Sequence, residues 1–177
     1  MERYKSSLHL SLPGYMNDIS SRFQENDCCS DAVITVGGEK ISLCFARCGE
    51  SAYQVIFNAI SEIRSILPEA SIKRISPDLI PESKLCQLLN LNESQLTALC
   101  STKAREFPAK INSGKGNTWH LKDILQWMYN SGHYKVNRAL YETSLVTQQI
   151  NAMNKIKHQP VALSSFDRPV KYAVNKG

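Results

Sequence analysis

No run of uninterrupted apolar residues in this 177-residue chain approaches the roughly 18 that a bilayer-crossing helix needs. The opening stretch, MERYKSSLHLSLPG, lacks the sustained apolar segment of a secretory leader. The expectation is a soluble, cytoplasmic protein with no membrane partner. Cysteine is present six times but never as a C-x-x-C pair, and Cys44 with Cys48 stands without a second pair or a nearby histidine. That spacing excludes the common structural zinc sites and leaves reduced thiols that pack as small hydrophobes. Histidine is scarce, and His9 is the only one before residue 120. No Ser/His/Asp set, no carboxylate pair in a glycine-framed loop and no His/Cys cluster offers a reaction centre. No catalytic residue, metal or cofactor is therefore expected, and the chain does not read as an enzyme. The segment GKGNT has neither the preceding glycine nor the following helix of a phosphate-binding loop.

What is present is an ordinary globular composition, 42% apolar and 21% charged, enough for one large domain or two small ones. The net charge of +5 is unevenly placed, since residues 131–177 carry seven Lys or Arg against two Asp or Glu. A basic tail suits phosphate contact, or it is a solvated surface that aids solubility.

In the first half, Leu8, Leu10 and Leu12 alternate with His9 and Ser11, the period of a half-buried strand, and Pro13-Gly14 ends it. Met16, Ile19 and Phe23 recur at helical spacing, with Asp18 and Arg22 placed for an ion pair. AVITV, the Gly37-Gly38 pair and KISLCFA read as a hairpin, with Ile41, Leu43 and Phe45 on one face. Ala52, Val55, Ile56, Ala59, Ile60, Ile63 and Leu67 then form one helical stripe, with Ser51 as N-cap and Pro68 as stop. Ser71 to Ile75 is a last strand. The order β-α-β-β-α-β predicts a ferredoxin-like α+β module over residues 4–76. His9 is expected on the solvent face. Strand three offers that face only Ser42, Cys44 and Ala46, so base stacking on the sheet reads poorly and dimerisation or partner docking reads better.

Residues 77–132 have a different grammar. Ile80, Leu85, Leu88 and Leu89 supply a first short helix with Pro81 and Glu82 in its early turn, and Leu91 plugs the turn that follows. Asn92 is an N-cap and Gln95 completes a capping box before Leu96, Leu99 and Cys100. The second helix, 93–102, then presents Glu93, Ser94, Gln95, Thr97, Ala98 and Ser101 to solvent. Gln pairs bidentately with adenine, and Ser and Thr contact bases or phosphates. Lys103 and Arg105 follow as backbone grips. Phe107-Pro108, AKI, NSGKGN and TWHL read as two short strands around a loop, a wing over 110–117 in which Lys110 and Asn112 sit at the base and Lys115 at the tip. Trp119, Leu121, Ile124, Leu125 and Met128 read as core, His120 as a cap or packing residue at the helix start, and Lys122 and Asp123 as outer surface.

ESKLCQLLNLNESQLTAL, FPAKI and WHLKDILQWM together resemble the excisionase and AlpA-like branch of the MerR-type winged helix-turn-helix proteins. The segment before them, running into SPDLI, is similar to a HicB-like amino-terminal module. The resemblance implies operator or attachment-site binding, commonly by dimers. It makes double-stranded DNA and a second copy of the chain the expected partners. The function this reading supports is a sequence-specific regulator or excisionase-like accessory factor. The alternative is an antitoxin-like or anti-repressor module whose first half docks a protein partner.

Beyond Tyr134, Val136, Leu140, Val146, Ile150, Met153 and Ile156 recur at helical intervals, weakened in the middle by Thr143, Ser144 and Thr147. They predict one long or two shorter amphipathic helices, a helical extension over 133–158 that either packs back on the winged unit or pairs with a second copy, packing back being favoured because a free three-turn seam is marginal in water. Residues 159–177 have no period and read as a flexible basic tail.

Overall fold

A computed structural model describes residues 1–13, 19–26, 29–103, 106–113 and 116–158. The architecture is mixed α+β, with six helices and two antiparallel sheets among the described residues. β1 (Glu2–Ser11), α1 (Ile19–Gln24), β2 (Val33–Gly37), β3 (Lys40–Gly49), α2 (Ala52–Ile66) and β4 (Ser71–Ser76) come first. Their strands pair in the order β2-β3-β1-β4.

The alternation along β1 and β3 does what period two dictates. Leu8 lies opposite Leu43 and Leu10 opposite Ile41, and all four are buried with Phe45 beneath the helices. Each such burial stabilises by roughly 1.5–3 kcal/mol. β1 is longer than its leucine run, because Tyr4 and Ser6 continue the buried face to the amino end. The hairpin turn lies one residue later than the glycine pair suggests. Gly37 pairs with Lys40 as the last residue of β2, and Gly38 alone takes a positive φ, 61°. A positive φ at the first central position only is the pattern of a type II′ turn. α2 matches its stripe, with Ser51 accepting from the Gln54 N–H at the amino end. Arg22 pairs with Glu69 at 2.6 Å; Met16 and Asp18, the other members of that part of the reading, lie outside the described residues.

β5 (Leu79–Pro81), α3 (Glu82–Leu89), α4 (Glu93–Thr102), β6 (Ile111–Ser113), β7 (Gly116–His120) and α5 (Leu121–Ser131) follow. Their sheet has the order β5-β7-β6. Ile80 is a correction. Its spacing assigns it to the first helix of this unit, but it sits on β5 opposite Trp119. Three residues carry too little period to announce a strand; only the partner, forty residues on, makes them one. A second hydrophobic cluster gathers Leu85, Leu89, Leu96, Trp119, Ile124 and Leu125 among others. Phe107, Trp127 and Tyr134 extend it, with ring centroids 4.9 Å and 5.7 Å apart in succession.

α6 (Arg138–His158) is one continuous helix that starts five residues later than the expected extension over 133–158, capped by Asn137 Oδ1 accepting from the Leu140 N–H. Its buried face also differs from the apolar repeat. Met153 is exposed, whereas Thr143, Ser144 and Thr147 are at most 1% exposed. These are the residues that read as a weak middle. Thr143 and Ser144 turn their hydroxyls back to the Ala139 and Tyr141 carbonyls, which satisfies them internally and lets a small-residue ridge approach its neighbours closely. Val146 and Ile150 enter the first cluster while Leu140 and Tyr141 pack on the second, so α6 joins both units rather than packing on the second alone.

Asn151 and Asp78 complete the join. Asn151 Oδ1 accepts from the Ile75 N–H at 2.8 Å and its Nδ2 donates to the Ile75 carbonyl at 2.7 Å. One side-chain amide thus closes the outer edge of β4 as a neighbouring strand would. The same Nδ2 donates to Asp78 Oδ2 at 2.8 Å, and Asp78 Oδ1 accepts from His120 Nδ1 at 2.8 Å. The Leu121 N–H donates to the Asp78 carbonyl, and Thr147 Oγ1 donates to the Pro77 carbonyl. His120 therefore packs at the start of α5 by bonding Asp78, without capping the helix through its side chain.

Candidate nucleic-acid interface

α3 and α4 are joined by Asn90, Leu91 and Asn92, and the turn is tight because each of the three is suited to it. Asn90 adopts the left-handed conformation, φ 54°, that ends α3. Leu91 packs against the second cluster. Asn92 caps α4, with its Oδ1 accepting from the Gln95 N–H at 2.8 Å while Gln95 Oε1 accepts from the Asn92 N–H at 2.9 Å. With Leu96 fully buried beneath it, α4 turns Glu93, Ser94, Gln95, Thr97, Ala98 and Ser101 outward, and all six are exposed.

The hydrogen bonds on that face narrow what each side chain can do. The capping box takes one lone pair of Gln95 Oε1, and a bidentate adenine contact would draw on the second together with Nε2, so the cap uses one of the two acceptor positions that Gln95 brings to this face. Thr97 Oγ1 donates to the Glu93 carbonyl and Ser101 Oγ to the Thr97 carbonyl, each at 2.9 Å. Both hydroxyls keep their lone pairs as acceptors, which suits amino groups on base edges better than phosphates. Ala98 offers a small apolar contact at the middle of the face, of the kind that meets a thymine methyl.

Lys103, at the end of α4, lies 4.0 Å from Glu106 and both are largely exposed. Lys110 is exposed just before β6. Arg105 and Lys115 lie outside the described residues, as do Ala104 and Gly114; Asn112 is placed on β6 opposite Asn117. Between the outward side of α4 and β7 runs a cleft of about 340 Å³, with Leu96, Phe107 and Trp119 at its floor and Thr97, Ser101 and Lys110 at its rim. Glu82 lines the same cleft and accepts from Asn117 Nδ2 at 3.1 Å. Trp119 Nε1 is buried with no hydrogen-bond partner among the described residues.

The cysteines bear on chemistry as well as packing. Burial raises the Cys86 and Cys100 thiols above their ordinary range, with Glu82 reinforcing it in both. Burial, then Glu62, pushes Cys29 up to about 12. These are protonated, weakly nucleophilic thiols. Cys28 lies outside the described residues. Among the described residues no cluster of His, Cys, Asp or Glu is arranged to hold a metal ion, and no helix is long and apolar enough to cross a membrane.

His9 differs from its expected exposed setting. It is half-buried on the uncovered face of the first sheet, its Nε2 2.8 Å from Ser76 Oγ and its Nδ1 3.3 Å from Ser42 Oγ. Burial, and then the nearby Arg74, lowers its pKa, so the ring is held toward its neutral form. Comparison of the chain with protein-family models, curated proteins and solved structures finds no match.

Proposed function

We propose that this protein binds double-stranded DNA in a sequence-dependent way, with α4 in the major groove and the β6-β7 hairpin as a wing against the flanking backbone. The observation that carries the reading is the short helix pair whose second member, held from below by Leu96 and capped at both ends of a three-residue turn, leaves its outer polar face exposed beside a hairpin. In this reading the second unit is a winged helix-turn-helix of the excisionase and AlpA-like, MerR-type kind, and the first is a ferredoxin-like module, whose strand order β2-β3-β1-β4 is compatible with that plan. Glu93, Ser94, Thr97, Ala98 and Ser101 face the bases, while Lys103 and Lys110 grip phosphates. The role is regulatory or recombination-accessory.

Selection of bound fragments from a fragmented genome tests the proposal. A shared short motif is the expected outcome, and Lys110→Ala weakens all duplexes about equally, lowering the salt slope by about one unit. Failure to retain any duplex at low salt overturns the reading.

A homodimer follows from the edge of the first sheet. Gly37 and Lys40 close the hairpin, so Val33, Thr35 and Gly37 direct their backbone groups at β3 while Ile34 and Val36 direct theirs outward. Val33 and Val36 are exposed, at 68% and 45%, and β2 contains neither a charge nor a proline to blunt its edge. Antiparallel pairing of β2 with its copy, centred on Thr35, sets Ile34 against Val36 twice. Val36→Lys is expected to convert a dimer to monomer in sedimentation velocity, and an unchanged sedimentation coefficient excludes this edge. The same open edge also favours the second reading, a protein-docking module in which DNA binding is secondary.

A further inference from the structure

The first sheet has one face under helices and one face open, and the open face has an unusual composition. The strand registers place its side chains in rows. One row runs Val33, Cys44, Ser7, Ser76, and the next runs Thr35, Ser42, His9, Arg74. Beyond the first row Lys5 faces Ala46 and Arg3 faces Cys48; beyond the second Lys40 faces Ser11. The centre of the face is thus built of small residues, serine, threonine, alanine and cysteine, around the His9 ring that Ser42 and Ser76 hold, with Val33 at its border. Its charged residues are Arg3, Lys5, Lys40 and Arg74, all exposed and all basic.

None of these four cations takes part in an ion pair among the described residues, in contrast to Arg22, Arg47 and Arg138, which do. Asp31, at the border of the face near Lys5, is already held by two bonds from Arg47 at 2.7 Å. The acidic residues of the first unit that pair at all, Asp31, Glu62 and Glu69, are bound to arginines other than these four. The chain has sixteen acidic residues, and the one on these strands, Glu2, shares the register of Tyr4 and Ser6 on the helix side of β1, so a face with four cations and no acid among its own side chains is a local asymmetry. It is not simply the reflection of a basic protein.

We infer that this open face is a second, sequence-independent contact for the phosphate backbone of duplex DNA. Three features suit it to that ligand. The cations stand around a low floor, so a backbone can approach without displacing bulky side chains. The Ser7, Ser42 and Ser76 hydroxyls, which here bond Cys44 Sγ and the two ring nitrogens of His9, lie between the charges and would exchange those bonds for phosphate oxygens, the kind of contact serine commonly makes to the backbone. The face also lacks the exposed aromatic residues that stack bases, so it grips backbone and reads nothing. The inference rests on the DNA reading of the second unit for the identity of its ligand, and α6, bound to both units, would carry the two contacts on one frame.

The test uses the full chain and three variants: a sheet variant with Arg3, Lys5, Lys40 and Arg74 each changed to Gln; a control with Arg64, Lys84, Lys135 and Lys155 each changed to Gln; and Ala98→Glu. The second set is exposed and lies off the open face, so the two fourfold variants lose equal charge. Each phosphate contact contributes about 0.9 to the slope of log affinity against log salt. The sheet variant should therefore lose about 2–4 units of slope and bind duplex ten- to a hundredfold more weakly at low salt, with its melting curve unchanged, while the control keeps the parental slope within about one unit. Equal losses in both fourfold variants assign the effect to bulk charge and overturn the inference. An unchanged slope in the sheet variant overturns it and leaves the α4 reading standing. A sheet variant that keeps its DNA affinity but changes its sedimentation coefficient marks the face as a protein interface, which also overturns it. If the sheet variant loses binding and Ala98→Glu does not, the sheet contact stands and the α4 reading falls. A parent that binds no duplex overturns both.

Discussion

Asp78→Ala is expected to lower unfolding free energy by about 3–5 kcal/mol, the range for removing one partner of a buried charged network. Asp78 is 4% exposed and accepts from His120 and Asn151 through separate carboxylate oxygens. Alanine would leave both donors facing a void, each costing about 1–3 kcal/mol. Asp78→Asn keeps one acceptor oxygen and should cost less than alanine. Because Asn151 also closes the β4 edge, Asn151→Ala is itself destabilising. Combined with Asp78→Ala it should cost less than the two single changes added, by about 0.5–3 kcal/mol, since the pair shares a bond. Denaturant titrations of the four proteins measure this cycle. A loss below about 1 kcal/mol for Asp78→Ala, or strict additivity, contradicts the view that this network holds the units together.

The largest functional effect is expected from Ala98→Glu. Ala98 is exposed at the centre of the outer face of α4, and glutamate is a good helix former, so the fold should tolerate the change within about 0.5 kcal/mol. Placed one helical turn from Ser94, the new carboxylate would enter the groove between two phosphate backbones. Juxtaposed like charges cost several kcal/mol, and a hundredfold loss of duplex affinity in fluorescence anisotropy corresponds to about 2.7 kcal/mol. Ala98→Ser, small and neutral, should change sequence preference more than affinity. Parental affinity in Ala98→Glu excludes α4 as the helix that enters the groove.

The local signals in the chain were strong where a residue answers only to its near neighbours. Ser51 and Asn92 are legible as caps because the donor each accepts from is three residues away. The α2 stripe and the Leu8, Leu43 and Phe45 faces are legible because period and burial coincide when one side of an element is covered. The outward set on α4 follows from Leu96 by the same arithmetic. Gln95 shows the limit of that reasoning, since its spacing announces the cap and only the position of Oε1 shows which of its hydrogen-bonding groups the cap takes up.

Elsewhere the deciding contacts are distant in sequence. Ile80 is a strand residue because Trp119 lies beside it. His9 is half-buried because Ser42 and Ser76 flank it from two other strands. Thr143, Ser144 and Thr147 are polar by type and buried by position, and no apolar period can announce a helix whose contact ridge is made of hydroxyls bonded to its own carbonyls and, at Thr147, to the Pro77 carbonyl as well. The four cations of the open face, at positions 3, 5, 40 and 74, form no run in the chain; two strand registers, across three strands, bring them together.

The sequence by itself determined the element order of the first unit, the capped helix pair and the polar outer face of α4, because periodicity and capping act over three or four residues. Tertiary structure alone decided that α6 is shared, that Asp78 joins the two units and that Arg3, Lys5, Lys40 and Arg74 lie on one face, because each depends on a partner that only the folded chain supplies.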